Sequence, residues 1–583
     1  AELLARPPQA VHYFIHSRGS NWQQADLTVK DQTQIIRRFY LLGQSPEARQ
    51  LADVLNGLQF VQQLERRQQE SGVAVTLSGT GRSAAIATLA GLLCEAQVSA
   101  NLPKIAELQI ADYPTDPLLA PMLPGLLRVC DYASLLAAAH GSFNVVVDGQ
   151  AEHDANTNQL LVDSSVEPQQ ANGLKIVEVS QHSARIWVRA TRWALPNLGD
   201  LPAVTFPPAA AAQRNDAAQS NDLRRMHPQL PETGVDGLQY AVPGASAEVR
   251  VGYRSGSGDW IYSDWAAVEA ASDYSALIDI DDLQPGKVYQ LRTQVRAPGS
   301  STVGNTLTGE LKTLPAEEST ADFRLAIGTC QDFPDRDGPH GFDLYRAMTK
   351  RDTDAFIMAG DVVYYDRLAR SVPLANYHWQ RTYSLPTLVD FHRRTPTFFL
   401  KDDHDTYVND SWPGQRHAWT EDFTFEDGQR IFLQQTGLPT PAYRTFQVGR
   451  DLQVWLMEGR DFRSANDAAD GPDKTIWGAE QREWLARTLD ASTAKFKVVV
   501  SPTPLVGPDR ENKRDNHANA NFQTEGGEVR QLLASHPNTI SVCGDRHWQY
   551  HSIDPDSGLH EFSVGPASDR HAGGWKQSDY REG

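Results

Sequence analysis

The chain has 583 residues, 40% of them hydrophobic, and a formal net charge of -19. At about 150 residues per domain, this length predicts three or four globular domains rather than a single core. The acidic charge argues against a general nucleic-acid or anionic-membrane binder, because such a protein needs a basic stripe to neutralise phosphates.

The four cysteines are irregularly spaced, which does not indicate a disulfide framework: Cys94, Cys130, Cys330 and Cys543. No apolar run reaches about 18 residues, so the sequence predicts no transmembrane segment. The first residues, A-E-L-L-A-R-P-P, lack the charged segment and apolar stretch of a signal peptide. A chain that starts at alanine is expected to be processed or truncated.

Residues 1–165 contain a predicted strand at 73–77, a small-residue helix at 83–93 and a later strand at 143–147. This segment loosely resembles the later half of an α/β-hydrolase of the acetyl xylan esterase kind. Such hydrolases carry their nucleophile in a G-x-S-x-G turn, and here Gly81 takes the place of the serine. Glycine cannot attack an acyl carbon, so the segment is predicted to be non-catalytic. The alternative is that this segment has esterase activity.

Residues 166–316 predict a β-sandwich, because their apolar residues alternate with period two at 185–189, 248–253 and 290–295. The run L-Q-P-G-K-V-Y at 283–289 resembles the corner of fibronectin type III and immunoglobulin-like sandwiches, where a tyrosine hydroxyl ties its strand to the preceding turn. A stretch rich in Pro, Ala, Gln and Asn at about 201–233 has no periodicity and predicts a surface insertion.

Residues 317–583 alternate strands and helices, which predicts stacked α/β layers with loops on one face. The predicted strands are 323–328, 355–358, 397–400, 452–457, 497–500 and 539–543, and the predicted helices are 341–350, 479–489 and 527–535. Ligands of open α/β sheets bind outside the carboxyl ends of the strands. Four of these strand ends carry residues that can hold metals.

The first two strand ends offer Cys330 and Asp361. Gly360 lets the backbone turn so that it presents Asp361, whose carboxylate has two oxygens and can bridge two cations. Tyr364 can add a phenolate oxygen, and Cys330 can bind a trivalent or borderline metal as a thiolate. Taken alone, these motifs also fit an ordinary turn and a half-buried free thiol.

The other two strand ends are K-D-D-H-D at 401–405 and C-G-D-R-H at 543–547. Asp403 is one of three acids beside His404, and these acids repel one another unless a cation lies among them. Asp545 and His547 are two residues apart, so an extended segment aims both side chains the same way. Taken alone, the first motif also fits a solvated charge cluster, and the second also fits a D-x-H pattern that arises by chance. Four such strand ends in one region predict a metal centre.

The motifs G-T-C-Q, G-D-V-V-Y-Y-D, D-D-H-D, E-G-R-D-F-R, A-E-Q-R-E-W-L and G-D-R-H occur in this order between residues 328 and 547. They resemble those of PhoD-type alkaline phosphatases, which are calcineurin-like metallophosphoesterases, and the resemblance covers about residues 321–575. It implies an α/β/β/α sandwich, with the preceding β-sandwich matching the family's domain arrangement. The segment 1–165 departs from that pattern, and the chain stops soon after 572–575, where relatives continue.

The resemblance also implies the ligands of the metals. Iron, as Fe3+, would be held by Cys330, Asp361, Tyr364 and His547, and one or two calcium ions, Ca2+, would face Asp361, Asp403 and Asp545. Other divalent metals are compatible with the same residues. His404 would be the acid rather than a ligand.

These residues predict hydrolysis of phosphate monoesters or diesters, because a metal lowers the pKa of bound water from about 15.7 towards 7. Metal-bound hydroxide would attack phosphorus, and His404 would protonate the departing alkoxide. Arg460 or Arg463 would pair with the phosphate oxygens, unless each only forms a surface salt bridge.

The resemblance implies export to the periplasm, the wall or the medium, although the sequence shows no signal peptide. The alternative from another class is a non-catalytic protein whose sandwich and hydrolase-like segments dock polysaccharide or a cell surface. The sequence leaves the oligomeric state and the natural substrate open.

Overall fold

The computed structural model describes residues 75–80, 105–111, 144–148, 168–197, 202, 230–510 and 513–573. The chain divides into two compact units, Ala1–Leu161 and Val162–Gly583. Gly81, the predicted helix 83–93 and most of the predicted insertion 201–233 lie outside the described residues. Within the described part of the chain, no helix combines the length and apolarity needed to cross a membrane.

The residues described in the first unit form a parallel sheet of three strands in the order β1-β2-β3. The strands are β1 (Val75–Thr80), β2 (Ile105–Ala111) and β3 (Asn144–Asp148). Two of them lie close to the predicted strands at 73–77 and 143–147, while β2 was not predicted. Parallel pairing agrees with the α/β pattern expected of this segment.

The second unit begins with two antiparallel sheets. One has the order β4-β5-β9, and the other has the order β11-β10-β6-β7 with β8 also paired to β6. Their strands are β4 (Leu174–Val179), β5 (Ala184–Arg189), β6 (Ala247–Arg254), β7 (Ile261–Tyr262), β8 (Ala266–Val268), β9 (Ser275–Ile280), β10 (Val288–Arg296) and β11 (Thr306–Lys312). The Gln284 amide donates to the Tyr289 hydroxyl over 2.8 Å, which confirms the predicted tie between a tyrosine and its preceding turn.

Two further sheets carry the remaining strands. A parallel sheet has the order β12-β13-β14, and a six-stranded sheet has the order β15-β16-β17-β18-β20-β19. The strands are β12 (Leu325–Gly328), β13 (Ala355–Ala359), β14 (Thr397–Leu400), β15 (Arg444–Val448), β16 (Leu452–Leu456), β17 (Phe496–Ser501), β18 (Thr539–Cys543), β19 (Gln549–Ile553) and β20 (His560–Val564). The described residues of this region form the α-helices α1 (Asp343–Thr349), α2 (Tyr365–Leu368), α3 (Val372–Thr382), α4 (Pro386–His392), α5 (Phe425–Thr436), α6 (Gly478–Ala491) and α7 (Gln523–Ser535).

Alternating side chains of the strands divide between separate cores. Ile357 of β13 and Val454 of β16 belong to one cluster that fills the space between the sheets and extends into the sandwich. Phe356, the neighbour of Ile357, packs with helices α1, α3, α4 and α5, whereas Trp455 packs with α6 and α7. The layers therefore run helix, sheet, sheet, helix, because successive residues of a strand face opposite sides.

Candidate metal centre

Three strand ends place a non-glycine residue in the left-handed backbone region. Cys330 follows β12 with φ 53°, Asp361 follows β13 with φ 55°, and Asp545 follows β18 with φ 60°. A Cβ on Gly360 would lie 2.7 Å from the Cβ of Asp402, so only glycine lets these two strand ends approach. Sparsely populated conformations persist where the surrounding structure enforces them, and they cluster at ligand sites.

The four residues predicted to hold iron lie close together, and two of them contact one oxygen of Asp361. The Cys330 thiol lies 3.2 Å from Oδ2 of Asp361, and the Tyr364 hydroxyl lies 3.3 Å from the same oxygen. Ligand atoms of Cys330, Asp361 and His547 all lie within 4.8 Å of one another. A thiol, a phenol, an imidazole and a carboxylate thus meet, although their elements are up to 217 residues apart in the chain.

Asp361 also belongs to two further groups of potential ligands. One contains Asp402 and Asp545, the other contains Asp403 and His404, and within each group the ligand atoms lie within 4.8 Å. Asp402 was not among the predicted ligands, whereas Asp403 and Asp545 were. Asp361 is shared by all three groups, which is the arrangement expected of a carboxylate that bridges cations.

Several carboxylate oxygens of this centre are buried without a hydrogen bond from any described residue, among them Oδ1 of Asp361 and Oδ2 of Asp402. Burial, with the neighbouring acids, raises the pKa of Asp361 to about 8. Burial also raises the pKa of Asp402 to about 6 and that of the Cys330 thiol well above its usual value. A bound cation reverses this preference by stabilising the ionised forms. The residues present therefore fit a metal.

His404 is held on one side by a carboxylate. Its Nδ1 lies 3.1 Å from Oδ1 of Asp366, and its ring centre lies 4.3 Å from that of Tyr364, with the two rings tilted by 30°. Burial alone would lower the pKa of His404, but the charges of Asp366, Asp403 and Asp361 raise it well above its usual value. A protonated imidazole with one nitrogen fixed can offer the other as a proton donor.

Arg460 is placed differently from the prediction that it binds substrate phosphate. It is fully buried, and its Nε donates to Oδ1 of Asp402 over 2.6 Å while Nη1 donates to the Ser411 carbonyl over 3.2 Å. Its Nη2 lies 3.6 Å from Oδ1 of Asp403. The guanidinium therefore orients two acids of the centre. It does not form the surface salt bridge that was the alternative.

Arg463 has more uncommitted donors. One nitrogen donates to the Asp515 carbonyl, but Nε and Nη1 have no hydrogen-bond partner among the described residues. Burial and the charge of Arg460 lower the pKa of Arg463 to about 10. Nη2 of Arg460 also has no hydrogen bond, but it lies 2.5 Å from Oδ1 of Asp402, so Arg463 has more nitrogens free of a partner.

The structure also shows roles that sequence reasoning did not assign. Asp405, the last acid of K-D-D-H-D, accepts backbone N–H groups of Asp402 and Val362 over 2.6 and 2.8 Å, so it ties two strand ends together. His571 lies 2.8 Å from the Tyr364 hydroxyl through Nε2, and its Nδ1 contacts Asp335 over 2.7 Å. No pattern in the sequence points to His571.

Residues 325–582 match the family model described as PhoD-like phosphatase. The chain is 24% identical over 269 residues to alkaline phosphatase D of Bacillus subtilis (strain 168). The aligned region covers 39% of this chain and 44% of that protein. The chain therefore spans less than half the length of this curated relative. A solved structure described as "Structure of PhoD" has a TM-score of 0.52 at 16% identity, covering 69% of this chain and 77% of the other, and shares the fold.

Proposed function

We propose that the chain hydrolyses phosphate monoesters or diesters at the metal centre described above, because residues 325–582 match the model of PhoD-like phosphatases. The observation that carries the proposal is the position of Asp361, which lies in three groups of potential ligands at once. A single carboxylate shared in this way supports a centre with more than one metal.

The proposed ligands divide by chemistry. Cys330, Tyr364 and His547 supply sulfur, phenol oxygen and imidazole nitrogen, a set suited to Fe3+ together with Asp361. The oxygens of Asp361, Asp403 and Asp545 suit one or two Ca2+ ions, and Asp402 is added to this set because of its position in the cluster. When bound, the metals would supply Lewis acidity and a water of lowered pKa.

The chain's own residues would perform the remaining steps. His404, fixed by Asp366, would hold a proton and give it to the departing alkoxide. Arg460 is proposed as a positioning residue, because its hydrogen bond is to Asp402 and not to a free site. Arg463 would bind a phosphate oxygen through its unpartnered nitrogens.

The test is turnover of nitrophenyl phosphate and bis-nitrophenyl phosphate by purified protein, comparing wild type with Asp361→Ala. Asp352→Asn is the matched control, because its side chain is 90% exposed and lies outside the centre. Hydrolysis that is lost in Asp361→Ala and kept in Asp352→Asn supports the proposal. Equal activity in both variants contradicts it.

Two further expectations belong to the same proposal. Residues 1–165 are proposed to be non-catalytic, which a nitrophenyl acetate assay checks. The protein is proposed to be exported, because its resemblance to the family implies secretion, and immunoblots of medium, envelope and cytoplasm of the producing cells check this. Hydrolysis of nitrophenyl acetate that survives Asp361→Ala would contradict the first expectation. Protein confined to the cytoplasm would contradict the second.

A further inference from the structure

One face of the second sandwich sheet carries an arginine–aromatic ladder. Its seven residues stack in the order Arg254, Trp260, Arg292, Tyr262, Arg250, Trp265 and Arg296. Each guanidinium carbon lies between 4.0 and 4.8 Å from the neighbouring ring centre. All seven side chains are half-buried, so their edges reach solvent.

The register of the strands sets the spacing of the ladder. Arg292 of β10 lies opposite Gly252 of β6, midway between Arg250 and Arg254, and Arg296 lies opposite Glu248. Guanidinium groups therefore repeat every second residue, roughly every 7 Å along the strands. A Cβ on Gly252 would lie 2.7 Å from Cε1 of Tyr262, so the glycine makes room for the central ring.

The positive charges of the ladder are mostly uncompensated. Arg296 pairs with Glu248 over 2.7 Å, but within the described ranges no carboxylate lies within 4 Å of the other three arginines. Arg250 and Arg254 donate to glutamine oxygens instead, over 2.9 and 2.8 Å, and Nε of Arg292 is buried without a hydrogen bond. A row of like charges is unfavourable by itself, and an anion laid along it would remove the repulsion.

The geometry limits which polyanion fits. Guanidinium groups cover the faces of the three rings, so these rings cannot stack on nucleic-acid bases. What the ladder offers is a row of guanidinium edges, which bind carboxylates in bidentate fashion.

We propose that the arginine–aromatic ladder is a docking site for a carboxylate-bearing polysaccharide, that is, a polyuronate. Carboxylates spaced along an extended chain would match guanidinium groups spaced along the strands. The proposal is independent of the hydrolytic activity, because the ladder contains none of the metal-centre residues. Docking would hold the metal-bearing domain at a charged glycan.

Binding is tested with sodium polygalacturonate and the full chain by isothermal titration calorimetry at low and high salt. Wild type is expected to bind, more weakly at high salt, and the double variant Arg250→Gln, Arg292→Gln is expected to bind at least tenfold more weakly. Arg324→Gln, which removes an arginine that is 67% exposed and outside the ladder, is the matched control and should bind like wild type. Nitrophenyl phosphate turnover should be equal in all three proteins.

If the double variant does not fold, Arg254→Gln replaces it, because Arg254 lies at the end of the stack and contacts one ring. This variant should bind at least threefold more weakly. No binding by wild type, binding that survives the ladder substitutions, or equal binding of neutral dextran overturns the proposal. Tighter binding of dextran sulfate or single-stranded DNA than of polygalacturonate also overturns it.

Discussion

Nδ1 of His404 lies 3.1 Å from Oδ1 of Asp366, a carboxylate that is 2% exposed. This contact fixes which imidazole nitrogen remains for the substrate. It also raises the pKa of His404 against the opposing effect of burial. The proposed acid therefore depends on a residue six positions after Gly360, at the end of the same G-D-V-V-Y-Y-D run.

Asp366→Asn is expected to reduce kcat for an alkyl phosphate by about 10² or more, because a positioned proton donor contributes on this scale. The loss should be larger for an alkyl phosphate than for nitrophenyl phosphate, since nitrophenolate leaves without a proton. The measurement is kcat for both substrates in wild type and variant, with Asp352→Asn as control. Equal losses for the two substrates would show that Asp366 acts only on the fold.

Asp402→Ala is expected to lower activity by at least tenfold and to reduce the content of the oxygen-bound metal. The reason is that Asp402 shares a ligand group with Asp361 and Asp545 but not with Cys330. Iron content should therefore be kept. Elemental analysis by mass spectrometry checks both metals, and a variant that loses iron first would contradict the division of ligands.

Asp273→Ala is expected to lower the free energy of unfolding by about 3 to 5 kcal/mol, because it leaves a buried arginine without its partner. Arg189 contacts Asp273 over 3.0 Å, and Gln380 and Gln435, on helices α3 and α5, donate to the same carboxylate. Urea unfolding followed by tryptophan fluorescence measures the change. The exposed Asp352→Asn should stay within about 0.5 kcal/mol of wild type.

Glu525 links stability to pH. Burial opposes its ionisation, but hydrogen bonds from His517, Thr475 and the Ile476 amide lower its pKa to about 2 from 4.5. A lowered carboxylate pKa contributes stability that is present above the unfolded value and is lost as pH falls through the folded value. The contribution is about 3 kcal/mol. Glu525→Gln should flatten the fall in unfolding free energy between pH 4.5 and 2, and an unchanged slope would contradict this.

The sequence predicted the parts of the centre that follow strands, because an apolar run that ends in a ligand residue can be recognised locally. It did not single out Asp402, which the structure places near Asp361 and Asp545, since the three acids of K-D-D-H-D look alike in the sequence. Asp405 turned out to bind backbone amides. The sequence contains no pattern that predicts a role for His571, because only the tertiary structure brings this residue to Tyr364.

One of the helices that the sequence did not predict buries several polar side chains. Helix α3 (Val372–Thr382) buries His378, Gln380, Arg381 and Thr382 together with Trp379. Polar residues inside a protein break the apolar stripe on which helix prediction depends. By contrast, strand β14 (Thr397–Leu400) is buried throughout, and its apolar T-F-F-L run was predicted with the observed bounds.

Metal analysis of the untreated protein tests the central claim most directly. Elemental mass spectrometry of wild type is expected to find iron and at least one second metal. Asp361→Ala, which removes the ligand shared by all three groups, should contain neither metal and should not hydrolyse bis-nitrophenyl phosphate. A wild-type protein that hydrolyses the ester without metal, or an Asp361→Ala variant that keeps both metals, would contradict the account.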